Sequence, residues 1–336
     1  METIFGYQWL EQPDGRRYLR LSCKKEGREW LGVDLYPDSG FKSAGLSYRG
    51  DWLQPYQPRW SALLKNDMFG NSILFPTPNR VRDHTFTFQG QRVEMIKKGA
   101  PRSQHGLALD SEWKLLRVES GGDYVLAEAE LRIEKGDENY PAFPWECSLR
   151  GKYHLTENTL TFFYRLKNLS HRPMPFGIGL HPWFLLPKEP ERLSLRVEAE
   201  YCFETTEDLL PTGSLLDVRN NRALDLNAFC QVRSLDLDTV YLTEARDVIL
   251  RYEDRGYQIR IRGTEEFQEA VVFTAFSRGM DRKGYEVFCV ETQSCCTDAI
   301  NLHESGFGQS GLRVLSPGEE MEGEIRYQLE TLKGGI

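Results

Sequence analysis

A period of two runs through this chain, and it restricts the fold more than any other feature. Apolar and polar side chains alternate in residues 124–133, 257–262 and 324–329, and residues 159–166 are rich in aromatic and β-branched types. Successive side chains of a strand point to opposite faces, so each segment can set one row on a core and the other in water. Turn-forming clusters lie between such segments, at residues 119–123, at Asp254-Arg255-Gly256 and at Ser316-Pro317-Gly318. Helical periodicity is sparse: residues 59–66 could make a short helix. No regular βαβ alternation is present, which weakens a doubly wound parallel sheet. The expected fold class is all-β, a large antiparallel β-sandwich with few short helices.

At about 150 residues per domain, 336 residues allow two domains, but all-β units exceed 200 residues as one. With no repeat and no convincing linker, residues 1–336 read as a single domain. Apolar residues make up 40% and charged residues 27%, enough to build a core and too apolar for disorder. The net charge of −8 argues against nucleic acid, whose binding rests on Lys and Arg. The longest charge-free run, residues 173–186, is shorter than the roughly 20 residues a spanning helix needs. Residues 1–3 lack the basic and apolar regions of a signal peptide. The expectation is a cytoplasmic protein without a membrane partner, monomeric or a homodimer.

Seven scattered cysteines do not read as a disulfide framework, and adjacent Cys295 and Cys296 lack the spacing of a zinc knuckle or redox pair. They are expected to be reduced and mostly buried. No Gly-x-Gly-x-x-Gly follows a strand and no Walker-type loop is present, so no nucleotide cofactor is expected. A Gly-x-Ser-x-Gly elbow is also missing.

Three residues stand in settings suited to chemistry. His105 is followed by Gly106, and His181 lies in Gly179-Leu180-His181-Pro182-Trp183, where small residues permit close backbone approach and Pro182 fixes the chain. Both could line an open polar pocket, or be structural histidines. Glu291 follows four apolar residues, as though a buried strand delivered a carboxylate at its end, where burial raises its pKa toward general-base range. Two histidines and a carboxylate could ligate iron or zinc. The histidines are 76 residues apart, however, and have no metal-type pairing beside them, so no metal is expected. Trp183 and Phe184 could stack on a ligand, although a core role suits at least one of them.

In order along the chain, these segments resemble the aldose 1-epimerase (mutarotase) family. The resemblance rests on Asn79-Arg80-Val81, His105-Gly106 with Trp113, residues 140–145, Gly179-Leu180-His181-Pro182-Trp183-Phe184, Leu237-Asp238-Thr239-Val240-Tyr241, Val290-Glu291-Thr292-Gln293 with Asp298-Ala299-Ile300-Asn301, and Ser316-Pro317-Gly318-Glu319. It implies the galactose mutarotase-like supersandwich with a sugar site on one face. It implies interconversion of α and β anomers, with Glu291 as general base at the C1 hydroxyl and His181 as general acid at the ring oxygen. Arg80, His105 and Asp238 would bind sugar hydroxyls, Asp236 being a competing assignment for Asp238. No cofactor is implied. The carboxylate and imidazole are expected to face one open pocket, about a sugar ring's width apart.

Two alternatives stay open. Residues 79–102 carry Arg80, Arg82, Arg92, Lys97, Lys98 and Arg102 against Asp83 and Glu94, a local charge of +4 that could favour a phosphorylated sugar or could be a solvated loop. A non-catalytic carbohydrate-binding or sensing module on the same scaffold is the other.

Overall fold

The computed structural model describes residues 2–12, 15–55, 70–102, 104–244, 246–274 and 287–332. The helix expected at 59–66 lies outside them. Two large antiparallel sheets dominate. The first begins with a four-strand meander, Thr3–Glu11, Arg17–Lys25, Arg28–Tyr36 and Lys42–Tyr48. It continues through five strands that, in chain order, are β1 (Asn71–Leu74), β2 (Gly179–Leu185), β3 (Asp238–Leu242), β4 (Glu269–Phe273) and β5 (Val287–Gln293). In space these run β1-β2-β5-β4-β3, and strands Tyr201–Thr205 and Pro211–Asp217 complete the sheet. The second sheet runs from Lys114–Ser120 through Val125–Ile133, Cys147–Leu155, Thr159–Asn168, Glu320–Thr331, Tyr257–Gly263, Val248–Tyr252 and Leu193–Val197 to Cys230–Gln231.

The alternation read from the sequence marks strands of the second sheet. In Glu320–Thr331, Ile325, Tyr327 and Leu329 are buried while Arg326 and Gln328 are exposed. These side chains join Leu19, Val33, Ile73, Leu180, Phe184, Phe288 and Val290 of the first sheet in one contiguous apolar cluster. Burying a side chain the size of Phe184 contributes about 1.5–3 kcal/mol. The cluster therefore clamps the two sheets together.

Strands β1, β2 and β5 are buried at every position. In β2 and β5 the even-numbered apolar residues, such as Leu180, Phe184, Phe288 and Val290, enter the main core, and in β1 the parity is reversed, with Ile73 on the core side beside Leu180 and Ser72 beside His181. The odd-numbered residues of β2 and β5 form a second buried face, where Trp183, Leu185, Val287 and Cys289 cluster with Tyr36 and Ala44. That second face carries His181, Glu291 and Gln293. Phe184 is thus core, whereas Trp183 belongs to the other side.

Among the described residues the α-helix is short, α1 (Ala299–Glu304), accompanied by single 3-10 turns. Among the described residues no helix is long and apolar enough to cross a membrane. All seven cysteines are free thiols, buried except for half-buried Cys230.

Candidate functional site

Sheet register, rather than sequence proximity, assembles the site. On β2, His181 pairs with Ser72 of β1, and flanking pairs Leu180–Thr292 and Trp183–Cys289 set it beside Glu291 of β5. On the other side of β5, Glu291 pairs with Val271 of β4, while Asp238 of β3 pairs with Phe273. Glu291 sits inside its strand, which continues to Gln293, and not at its end. Since paired residues share a sheet face, histidine and glutamate 110 positions apart become neighbours.

His105 comes from a loop folded onto β1. Its N–H donates to the Asn79 carbonyl at 2.7 Å, and the next residues dock on Phe75, with Leu107 N–H to Phe75 O at 2.6 Å. The approach requires glycine: Gly106 has φ +70°, and a Cβ there would lie 2.3 Å from the Phe75 carbonyl oxygen. His105 is itself left-handed at φ +61°. The same turn presents Arg80. Asn79 Oδ1 accepts from the Arg80 N–H at 2.9 Å and from its Nη1 at 3.1 Å, and Arg80 Nη2 reaches Asp238 Oδ2 at 3.9 Å. Behind the turn, Asp298 N–H donates to the Arg80 carbonyl at 2.8 Å. The Asp298–Asn301 segment is scaffolding here, because Asn301 Nδ2 donates to both Asp298 Oδ1 and the Thr85 carbonyl.

His181 Nε2 lies 3.2 Å from Glu291 Oε1. The imidazoles of His105 and His181 meet edge-to-face with centroids 4.9 Å apart, and Trp183 flanks His181 at 5.4 Å. One ligand atom from each of His105, His181 and Glu291 lies within 4.8 Å of the others. The expected sugar-ring separation of acid and base is therefore corrected to direct hydrogen-bond distance. The expected open pocket is corrected as well: His105, His181 and Glu291 are 3%, 5% and 3% exposed.

Burial sets the electrostatics. It raises the Glu291 carboxyl, which stands at about 8 with the Gln293 hydrogen bond and Arg80 pulling it down and Asp238 raising it. It pushes His181 down to about 4. His105 is held well below the ordinary imidazole range by burial, and then by His181 and Arg80. The geometry of the His181–Glu291 contact is that of an ion pair, yet both shifts oppose charge separation. Desolvation therefore disfavours the charged form of each partner.

The structure brings all five sequence candidates into one region, with Arg80 and Asp238 close enough to perturb Glu291. Asp236, the competing assignment, is exposed. One participant was missed. Gln293 lies two positions beyond Glu291, on the same strand face, fully buried, and its Nε2 donates to Glu291 Oε2 at 2.6 Å. The i, i+2 spacing on a strand was the available signal.

The basic stretch does not form a field of free cations. Arg80 faces Asp238, Arg82 faces Asp298 at 3.6 Å and Arg92 faces Glu94 at 3.7 Å. Lys97 is buried against Asp110 at 2.7 Å, Lys98 meets Glu138 at 3.0 Å and Arg102 pairs with Asp110. Acids contributed from elsewhere in the chain offset the local +4.

Comparison with known proteins agrees with this architecture. A galactose mutarotase-like protein of Clostridium acetobutylicum superposes with a TM-score of 0.82 at 19% identity, over 98% of this chain and 99% of that one. Galactose 1-epimerase of Lactobacillus acidophilus gives 0.75 at 15% identity, over 98% and 100%. At such identities the likeness shows the fold. In sequence, the uncharacterised protein YphB of Escherichia coli K12 is 24% identical over 264 residues, 77% of this chain and 83% of its own. The family model described as aldose 1-epimerase matches residues 50–328, a span that contains all five candidate residues. The chain belongs to the aldose 1-epimerase family.

Proposed function

We propose that the protein interconverts the α and β anomers of an aldose by acid–base ring opening and closure. The observation that carries this reading is the buried Glu291–His181 contact at 3.2 Å. The C1 hydroxyl and the ring oxygen are both bonded to C1, so a base and an acid set side by side can serve both proton transfers.

The steps balance as follows. With the pair's proton on His181, the Glu291 carboxylate takes the C1 hydroxyl proton. The C1–ring oxygen bond breaks, its electrons go to the ring oxygen, and His181 donates a proton there. Rotation about C1–C2 presents the other face of the aldehyde. The freed hydroxyl then attacks C1, returns its proton to His181, and the carbonyl oxygen recovers the proton from Glu291. One proton circulates within the pair and nothing is consumed. A single placed acid or base typically gives about 10²–10⁴-fold, or roughly 3–5 kcal/mol.

Arg80, His105 and Asp238 hold and orient sugar hydroxyls in this scheme, and neutral His105 can do so without repelling a protonated His181. The paired cations of residues 79–102 remove the motive for preferring a phosphorylated sugar, and the intact acid–base pair speaks against a purely binding module. The apolar cluster shared by both sheets supports reading residues 1–336 as one domain. The test is exchange between anomers, followed by polarimetry or NMR, across aldoses and hexose 6-phosphates. A rate above buffer with a free aldose is expected; no excess with any of them overturns the proposal.

A further inference from the structure

The sequence spacing of the two histidines speaks against a metal, but the fold removes that objection. We propose that His105, His181 and Glu291 form a capture site for a zinc-type divalent ion, which excludes the sugar and switches the centre off. The capture rests on geometry alone, and the switching rests on the reaction proposed above.

Two imidazoles and one carboxylate are a donor set that zinc binds while keeping a fourth position open. With bonds of about 2.0–2.1 Å, the edge of a tetrahedral shell is roughly 3.4 Å. The His181 Nε2–Glu291 Oε1 separation, 3.2 Å, already matches one such edge. No ligand atom of the three is farther than 4.8 Å from another, so the remaining edges need shorten by no more than about 1.4 Å to fit such a shell. Turning His105 breaks no hydrogen bond at Nδ1, which is buried without a partner among the described residues. Gln293 occupies Glu291 Oε2 at 2.6 Å and leaves Oε1 to face the histidines, the kind of outer contact that orients a metal-binding carboxylate. Around the cluster stand the Arg80–Asp238 pair and Cys289, whose Sγ lies 3.7 Å from His181 Nδ1. Imidazole donors select zinc, cobalt, nickel or copper over magnesium and calcium, which prefer all-oxygen shells. An ion here would use Nε2 of His181 and Oε1 of Glu291, the two atoms that move the protons.

The experiment titrates metal-stripped full-length protein with Co²⁺, read by visible absorption, and with Zn²⁺, read by calorimetry. His105→Gln, Glu291→Gln and Mg²⁺ serve as comparisons, with circular dichroism reporting the fold of each variant. Expected are one tight equivalent, at least tenfold weaker binding in both folded variants, and no response to Mg²⁺. Zn²⁺ should also inhibit anomer exchange, with the half-inhibiting concentration rising as sugar is added and full recovery on chelation. Absence of a stoichiometric site overturns the proposal. So does binding that persists unchanged in both variants, which would place the ion on the free thiols instead. Metal binding without epimerase activity sustains the capture site and defeats only the proposed function; activity indifferent to Zn²⁺ does the reverse.

Discussion

The pH dependence of the rate follows from counting protons on one pair. Glu291 is raised to about 8 and His181 lowered to about 4, and their reacting atoms are 3.2 Å apart. Groups this close titrate jointly, so these values belong to the pair: two protons below about 4, one between about 4 and 8, none above. Ring opening needs one group protonated and the other not, which is the one-proton state. Raising the pH removes that proton. On this scheme kcat/KM is flat near neutrality and falls about tenfold per unit above pH 8, leaving about one part in eleven at pH 9. The assay is initial-rate polarimetry at constant ionic strength, with the buffer rate subtracted at each pH. Lys97, lowered to about 8 by burial, titrates in the same range. A Lys97→Arg variant, which keeps the charge but does not titrate there, should retain the alkaline limb. His105, held far below neutrality, does not titrate in this window. A rate that climbs through pH 8 toward 10 would refute the reasoning, because the free carboxylate would then suffice and His181 would need no proton.

Three further outcomes follow from particular contacts. Replacing Gln293 by Leu removes the donor to Glu291 Oε2, so kcat/KM should drop by about tenfold or more and the alkaline limb should move upward in pH, with little change in KM; an unmoved limb assigns Gln293 to packing. Ala at Gly106 places a Cβ against the Phe75 carbonyl at positive φ, which should cost more than about 1 kcal/mol in denaturant unfolding and displace His105; wild-type stability would contradict the close approach. Glu269, fully buried with both carboxylate oxygens unpaired among the described residues, is held well above the usual range by desolvation. Its stabilising contribution is complete below the unfolded value near 4.5 and is lost as pH rises toward the folded one. Glu269→Gln, fixed neutral, should therefore gain in thermal stability over wild type between pH 5 and 8, and a constant difference would place the shift elsewhere.

What could be read from the sequence depended on whether a strand had one wet face. Residues 324–329 and 257–262 lie in the sheet whose outer side meets solvent, so their alternation was plain. Strands β2 and β5 are buried on both faces, and the parity that places His181, Glu291 and Gln293 together is invisible as polarity. The motifs named the histidines and the glutamate, but their separation is a matter of register, which local sequence does not carry. Their distance was accordingly overestimated, and Gln293 was quoted without a role. The basic stretch misled for a related reason: Asp110, Glu138, Asp238 and Asp298 reach it only through the fold. His105 was the better case, since Gly106 signalled a close backbone approach that the Phe75 carbonyl fulfils.

The central claim is that the Glu291 carboxyl is the proton carrier at C1, and a Glu291→Gln variant tests it most directly. Glutamine keeps the size and the capacity to hydrogen bond with His181, but it cannot take the proton. Anomer exchange and sugar binding should be measured on the same folded sample, by NMR exchange and by calorimetry. The account predicts exchange reduced by about 10²–10⁴-fold, with affinity for the sugar changed by less than about tenfold. Exchange at the wild-type rate in that sample would contradict it.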